Sequence, residues 1–380
     1  MTASIRAIPL ALALLQAADP GAVLVREYKK EKLQLMDLSP DGRLMLAQTE
    51  RRVDCPAGPK KCRVRVLSVR ETATGEKLGH EFVSVVDGYF HGVRFRDGAK
   101  VDVAYLSRLH EWDWQTDSRS SRPISDGRFS ATCFVGDEEV LGWQEGSLAL
   151  LQGGSVRLLA KRVDFVALME NCSSWKGKAG YFIPSGHAVL SVSLRPDEFM
   201  RVCHDFPGER LYGVTVSPDG SLVAAVTNGG PQDGVTLTLL SANDCHVIRR
   251  LDLAFPERPT WVKPLLNPKA KYRNNVPFQD QFARRMAVSP NNHLIAISYG
   301  IFKDPHGYAY FGLYSLSDGS RKTTLPGDAY KCGILHGALL SDAFECRTSP
   351  IQGALRFSPD SRMLFATSLH LRQWDVSQLQ

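Results

Sequence analysis

The chain has 380 residues, of which 43% are hydrophobic and 23% charged, and its formal net charge is +6. These fractions are typical of a folded domain and exclude an intrinsically disordered chain. The basic excess is modest, and the sequence has no zinc-finger spacing, aromatic RNA-binding motif or helix-turn-helix pattern, so we do not expect a nucleic-acid partner.

The first 18 residues have the pattern of a secretory signal. Arg6 ends a short amino-terminal region, Ala7–Leu15 is apolar, and Ala17 and Ala18 are small residues suited to cleavage. The apolar run is too short to cross a bilayer as a helix, and no later run is long enough. We therefore expect a signal peptide over residues 1–18, one domain over residues 19–380 without a transmembrane segment, and a secreted or periplasmic location. The alternative is a buried N-terminal helix or a disordered tail.

The cysteines agree with export, because their number is even and they lack metal-site spacing. The eight are Cys55, Cys62, Cys133, Cys172, Cys203, Cys245, Cys332 and Cys346. Cys55 and Cys62 flank a Pro-rich turn and are predicted to form a disulfide; Cys332 and Cys346 are the next candidate pair. The pairing of the other four stays open. Without Cys-x-x-Cys we expect no metal site, and no sequence feature indicates a cofactor.

The domain begins with a predicted strand, Val23–Tyr28, followed by a unit of four predicted strands. These four strands are Leu33–Leu38, Leu44–Thr49, Arg63–Val69 and Lys77–Val85. The turn between the first two is Ser-Pro-Asp-Gly, in which Pro sets φ and Gly accepts positive φ, as in a tight hairpin turn. This strand–turn–strand pattern predicts antiparallel β-structure.

The same pattern recurs along the chain and predicts a repeat fold. The copies of the hairpin are Leu35–Thr49, Val93–Tyr105, Leu211–Thr227, Met286–Ser298 and Ala354–Ser368. Less regular units fall between them, the weakest being Phe165–Asp205. Seven units of roughly fifty residues fit the chain. We predict an all-β, seven-bladed β-propeller of four-stranded antiparallel blades. The last unit ends one strand short at Val376, so Val23–Tyr28 is expected to complete it and close the ring.

Short motifs add a family resemblance. Gly79-His80 and Trp112-Asp113 stand about one repeat apart, and Gln373-Trp374-Asp375-Val376 lies near the end. With the Ser-Pro-Asp-Gly turns, these motifs resemble the WD-repeat β-propeller family over nearly the whole mature chain. The resemblance implies a propeller fold. Because the Gly-His signature is clean only once, the buried His–Asp–Ser–Trp network of that family is expected to be mostly absent.

The long segments of the chain all fall between second and third strands or between blades, which places them on one face of a propeller. They are Glu50–Lys61, Asn228–Gly234, Phe255–Arg284, Gly300–Gly307 and Pro326–Gly353. Loops on a rigid scaffold commonly carry function. The candidate partner-binding residues, chosen because Arg and aromatic residues are enriched at interfaces, are Arg51, Arg52, Lys60, Lys61, Trp261, Lys263, Lys271, Tyr272 and Arg273. The alternative is that the aromatic residues only pin a long loop.

The sequence lacks the common catalytic motifs, including a Gly-x-Ser-x-Gly elbow, His-Glu-x-x-His and a phosphate loop. Ser185-Gly186-His187 fits a polar turn rather than a nucleophile and its base. We therefore predict an exported, non-catalytic scaffold that binds a protein, or an anionic surface polymer, through the loop-rich face. The alternative is a lactonase-like hydrolase with histidines and carboxylates at the central channel mouth, a possibility that leaves the question of enzymatic activity open.

Overall fold

The protein is described by a computed structural model, which shows seven antiparallel sheets arranged as consecutive blades. The described residues are 21–29, 31–55, 61–86, 88, 90–105, 108–124, 129–134, 139–144, 147–152, 154–161, 180–193, 200–228, 235–253, 285–303, 306–331, 333–334, 344–345, 354–368 and 370–380. Six blades have four described strands and one has three. The predicted seven-bladed, all-β fold is therefore confirmed.

The strands are numbered in chain order, starting with β1 (Val23–Glu27). Blade one is β2 (Gln34–Leu38), β3 (Leu44–Asp54), β4 (Lys61–Glu71) and β5 (Lys77–Val83). Blade two is β6 (Phe90–Phe95), β7 (Lys100–Tyr105), β8 (Arg108–Asp113) and β9 (Ser118–Pro123). Blade three is β10 (Phe129–Phe134), β11 (Val140–Gln144), β12 (Ser147–Gln152) and β13 (Ser155–Lys161). Blade four has β14 (Gly180–Ser185), β15 (Ala188–Ser193) and β16 (Met200–Asp205).

The remaining strands complete the ring. Blade five is β17 (Arg210–Val216), β18 (Leu222–Asn228), β19 (Val235–Ser241) and β20 (Val247–Leu253). Blade six is β21 (Met286–Val288), β22 (Leu294–Lys303), β23 (His306–Ser315) and β24 (Arg321–Lys331). A small ribbon follows, β25 (Gly333–Ile334) with β26 (Phe344–Glu345). Blade seven is β27 (Leu355–Phe357), β28 (Met363–Thr367), β29 (Leu371–Asp375) and the distant β1.

The first strand of the chain closes the ring, as the sequence predicts. β1 pairs antiparallel with β29, from Val23 opposite Asp375 to Glu27 opposite Arg372. Blade seven is thus built from both ends of the domain, in the order β1-β29-β28-β27. This pairing covers the outer edge of β29, which is the third strand of blade seven, and β1 becomes the fourth strand of that blade.

The Ser-Pro-Asp-Gly turns explain why the inner hairpins recur so regularly. In blade one Ser39 Oγ donates to Asp41 Oδ1 at 2.6 Å and accepts from the Leu44 N–H at 2.8 Å. The last turn residue, Gly42, has φ +72°. In blade five, Ser217 and Asp219 repeat these contacts. The serine therefore fixes the turn from both sides, and the turn fixes the register of the two inner strands.

Apolar clusters lie between neighbouring blades and form the core. Between blades one and two, Phe82 packs edge-on against Trp112, with ring centroids 5.7 Å apart. The Trp of each Trp-Asp motif, Trp112 and Trp374, is buried at the end of a third strand. The Asp of each motif is a turn cap: Asp113 accepts from the Gln115 N–H at 2.9 Å and Asp375 from the Ser377 N–H at 2.9 Å.

The structure corrects several predicted boundaries. Glu50–Lys61 is not a long loop, because β3 runs to Asp54 and β4 begins at Lys61. Gly300–Lys303 and residues 326–331, also predicted as loops, are strand as well. Blade two has a fourth strand, β9, that the sequence did not reveal, because its residues are all exposed and show no apolar alternation.

Blade four agrees with the prediction over its three described strands, whereas its predicted first strand, Phe165–Glu170, lies outside the described residues. The only helical element of the described chain is a 3-10 turn, Ser377–Leu379. Within that part of the chain, no helix is both long and apolar enough to cross a membrane. The predicted signal, residues 1–18, also lies outside the described residues.

Candidate interaction face

The two faces of the propeller differ in the length of their hairpins. The Ser-Pro-Asp-Gly turns mark one face, which we call the plain face. The hairpins between second and third strands mark the opposite face, on which the sequence predicts the long loops, and we call it the loop-rich face for that prediction. On the loop-rich face β3 and β4 have 11 residues each, and β22 and β23 have 10 each. Blade seven lies between those two blades, and its β28 and β29 have only 5 residues each. Two extended hairpins therefore flank one short hairpin.

The extension of blade one is a regular two-stranded ribbon, which we call the arm, formed by Glu50–Asp54 and Lys61–Arg65. Its register runs without interruption from Glu50 opposite Arg65 to Asp54 opposite Lys61. The predicted Cys55–Cys62 disulfide is present at its tip, with the two Cα atoms 5.1 Å apart. At its base Val64 is buried. The arm is thus fixed at both ends.

The predicted site residues on the arm have different roles. Arg51, Arg52 and Lys61 are all exposed. Arg51 is anchored to its own blade, because its Nη2 lies 2.9 Å from Glu81 Oε2. Burial raises the pKa of Glu81, but hydrogen bonds from Arg51 and Lys77 outweigh burial and leave that pKa below its ordinary value. Lys60, Trp261, Lys263, Lys271, Tyr272 and Arg273 lie outside the described residues and stay predictions.

A buried polar network, which we call the closure network, lies on the same face where the chain ends meet. It joins Glu27 of β1, Asp328 of β24, and Ser368, His370 and Arg372 of blade seven. Arg372 donates to the Asp328 carboxylate from both terminal nitrogens, at 3.0 and 2.6 Å. The same Nη2 lies 2.6 Å from Glu27 Oε1. These contacts tie blades six and seven to the first strand.

The closure network contains Ser, His and Asp, but in an order that does not suit nucleophilic catalysis. Ser368 Oγ and His370 Nδ1 both bond to Asp328, so the carboxylate stands between the serine and the histidine. A catalytic triad instead needs the imidazole between the other two, where it can take the serine proton. Asp328 also accepts from the His370 backbone N–H at 3.0 Å. Its lone pairs are therefore already used.

The electrostatics of Asp328 agree with a structural role. Burial raises its pKa, but hydrogen bonds and charge from Arg372, with bonds from Ser368 and His370, outweigh burial and hold the pKa well below its usual range. A carboxylate stabilised this strongly as an anion is a poor general base. Ligand atoms of Glu27, Asp328 and His370 lie within 4.8 Å of one another, but the Arg372 guanidinium already stands between both carboxylates. The chemistry of this set fits an arginine rather than a metal ion.

Several titratable groups that the sequence offered for the channel mouth have partners within or between the described blades. His110 packs against Phe82 and Tyr105 between blades, and burial lowers its pKa. Glu111 pairs with Arg96 and Lys100. His370 belongs to the closure network. On the inner strands, Asp37 accepts from the Phe95 N–H at 2.9 Å. Ser185-Gly186-His187 is a turn, as predicted. Glu170 and His336 lie outside the described residues, as do the side chains of His91 and His306.

Sequence reasoning missed the closure network and one disulfide. Asp328 and Arg372 are 44 residues apart, and Glu27 lies at the other end of the domain, so no local spacing links them. The Cys203–Cys245 disulfide joins β16 to the turn before β20 in the next blade, with a sequence separation of 42. A pairing across blades follows only from the ring geometry. The predicted Cys332–Cys346 pair lies outside the described residues.

No protein-family model matches the sequence, and a comparison with curated proteins gives no match. Among solved structures, one chain in a crystal structure of the mitotic checkpoint complex is 13% identical, with a TM-score of 0.52; the likeness covers 98% of this chain and 99% of that one. Kluyveromyces lactis Hsv2 is 9% identical, with a TM-score of 0.47, over 88% of this chain and 92% of that one. The first likeness agrees with the propeller fold and shows the fold alone.

Proposed function

We propose that this chain is an exported, non-catalytic scaffold that holds a protein partner on its loop-rich face. The observation that carries the proposal is the arm. It extends the blade-one ladder from Glu50 to Lys61, ends in a disulfide and exposes charged side chains. Only Val64 of the arm is buried, so most of it adds little to the core. A rigid projection of this kind is well suited to contact another molecule.

The non-catalytic part of the proposal rests on how the polar groups are used. Asp328, the most strongly perturbed described carboxylate on this face, is fully committed to Arg372, Ser368 and His370. Perturbed groups of this kind mark active sites only when they retain a free proton or lone pair for a substrate. Here the groups hold the ring together instead.

The export part of the proposal rests on the predicted signal and on the disulfides. Cys55–Cys62 and Cys203–Cys245 are both formed. Disulfides persist mainly in oxidising compartments outside the cytoplasm. Together with the apolar residues Ala7–Leu15, they support a secreted or periplasmic location.

The test is site-specific photo-crosslinking in the native host. A photoreactive residue replaces Arg52 or Lys61 on the arm, and the matched controls replace the exposed Arg43 or Arg362 on the plain face. We expect a protein adduct from the two arm positions and none from the two controls. Adducts from the plain face alone, or adducts with polymer rather than protein, would contradict the proposal.

A further inference from the structure

The charges of the arm are unevenly distributed between its two sides. Side chains alternate along a strand, and residues opposite each other share a side. Glu50, Arg52 and Asp54 therefore share one side with their partners Arg65, Arg63 and Lys61. That side carries four basic and two acidic groups. The other side carries Arg51 and Val53 together with the disulfide cysteine Cys62 and the buried Val64.

Two arginines of the charged side face each other directly. The backbone N–H and C=O groups of Arg65 point away from β3. The N–H donates to Ser84 Oγ at 2.8 Å, and the carbonyl accepts from the Ser84 N–H at 2.8 Å. Glu50–Arg65 is therefore a non-hydrogen-bonded pair, and so is Arg52–Arg63 two residues further along. In such pairs the Cα atoms are about 4.5 Å apart and the side chains approach most closely.

This Arg52–Arg63 pair lacks sufficient negative charge nearby. Asp54 forms an ion pair with Lys61. Glu50 Oε1 lies 3.5 Å from Arg65 Nη2, and Glu50 Oε2 lies 3.8 Å from Arg63 Nη1. No ion pair joins Arg52 to any described residue. Like charges directly opposite each other destabilise a strand pair, so this arrangement costs stability in the free protein. An anionic group placed between the two guanidinium ions would remove that cost and gain bidentate hydrogen bonds.

The backbone next to the pair indicates what kind of molecule carries the anion. The backbone N–H and C=O groups of Arg63 and Lys61 also point away from β3, because backbone groups alternate in direction along a strand and these residues lie two and four positions from Arg65. β5 pairs with β4 only as far as Val66 opposite Val83, and no strand in the described part of the chain continues along that edge. A polypeptide can pair with such an edge as an added strand. The backbone of a polyphosphate or polysaccharide has no amide groups spaced to match this edge.

Resting on the proposed function, we propose that the arm binds an acidic polypeptide segment. The segment adds as a short strand to the β4 edge at Lys61–Arg63, and an Asp or Glu side chain of the segment lies over Arg52 and Arg63. The Cys55–Cys62 disulfide and the Arg51–Glu81 ion pair hold the two arginines in place before binding. Little ordering of the arm is then needed when the partner arrives.

The test measures binding of a fluorescent peptide of alternating Glu and Thr residues to the full chain at low salt. A peptide with Gln in place of Glu is the control for charge, and inorganic polyphosphate is the control for a non-peptide anion. The protein variants are Arg52→Gln with Arg63→Gln, and, as a matched control, Arg43→Gln with Arg362→Gln on the plain face. The double arm variant should keep or raise the melting temperature, because it removes a like-charge contact.

We expect the Glu peptide to bind the native chain and the plain-face variant equally, and the arm variant about tenfold or more weakly. Equal binding of Glu and Gln peptides, no peptide binding, or Arg52- and Arg63-dependent binding of polyphosphate alone would each overturn the inference. The crosslinking experiment separates the two proposals. A captured protein with no acidic segment at the crosslink overturns only this inference, whereas plain-face capture overturns the proposed function.

Discussion

Arg372, on the last strand of the ring, places its Nη2 atom 2.6 Å from the Glu27 Oε1 atom on the first strand. The same nitrogen lies 2.6 Å from Asp328 Oδ1 in blade six. One guanidinium therefore joins three parts of the chain that are far apart in sequence. This guanidinium lies on the same face as the arm.

Replacing Arg372 should destabilise the fold strongly. In Arg372→Met the Asp328 carboxylate stays buried without its cation, and breaking a buried pair in this way costs about 3–5 kcal/mol. The matched control is Arg43→Met, which breaks the exposed Arg43–Asp41 pair and should cost at most about 1 kcal/mol. Urea unfolding measures both. Similar losses for the two variants would show that the closure network does not stabilise the ring.

Stability should fall in acid, and Asp328 should account for part of the fall. Its pKa is lowered in the folded protein, so the ionised group stabilises the fold above the unfolded pKa of about 4. That stabilisation is lost as the pH drops through the folded pKa. Asp328→Asn should be less stable at neutral pH and should show a shallower decline below about pH 4. An unchanged acid slope in urea-midpoint measurements would contradict this account.

Gly79 should resist substitution because of a close contact between blades. Its φ is +55°, and a Cβ atom there would lie 2.4 Å from the Trp114 carbonyl oxygen. Gly79→Ala should therefore cost at least about 1–3 kcal/mol. Gly98→Ala is the control, since nothing lies within 4 Å of its Cβ position, and its effect should stay within about 0.5 kcal/mol. The prediction is wrong if both variants unfold at the same urea concentration.

The two described disulfides should differ in their contribution to stability. In the chain-entropy model the Cys203–Cys245 loop contributes about 4 kcal/mol and the shorter Cys55–Cys62 loop about 2.5 kcal/mol. Cys203→Ser with Cys245→Ser should lower the melting temperature more than Cys55→Ser with Cys62→Ser. The arm pair should instead show its effect locally, as faster hydrogen exchange in Glu50–Arg65. The opposite order of melting temperatures would contradict the larger contribution expected of the Cys203–Cys245 disulfide.

The fold was predictable because its information is local and repeated. Each Ser-Pro-Asp-Gly turn specifies its own hairpin through contacts within five residues, such as Ser39 with Asp41 and Leu44. The missing last strand at Val376 and the unpaired strand at Val23 then specify closure. The strands of the arm were harder to predict from the sequence. Its residues Glu50–Asp54 are mostly exposed, so no apolar alternation marks them as strand.

The polar networks were not predictable, because they depend on distances between blades. His80 of the Gly-His motif is exposed, and its backbone N–H donates to the Trp114 carbonyl. The histidine of the closure network is the half-buried His370, whose partner Asp328 lies in another blade. The sequence contains both residues, but only the ring brings them together.

Whether a protein partner binds on the loop-rich face is decided by comparing capture by two charge-reversed chains. One carries Arg52→Glu with Arg63→Glu on the arm, and the other carries Arg43→Glu with Arg362→Glu on the plain face. Each chain is crosslinked to its partner in the exported fraction of the native host, and the amount of captured partner is quantified by mass spectrometry. We expect the arm variant to lose the partner and the plain-face variant to retain it fully. Equal capture by both chains, or loss only from the plain-face variant, would contradict this expectation.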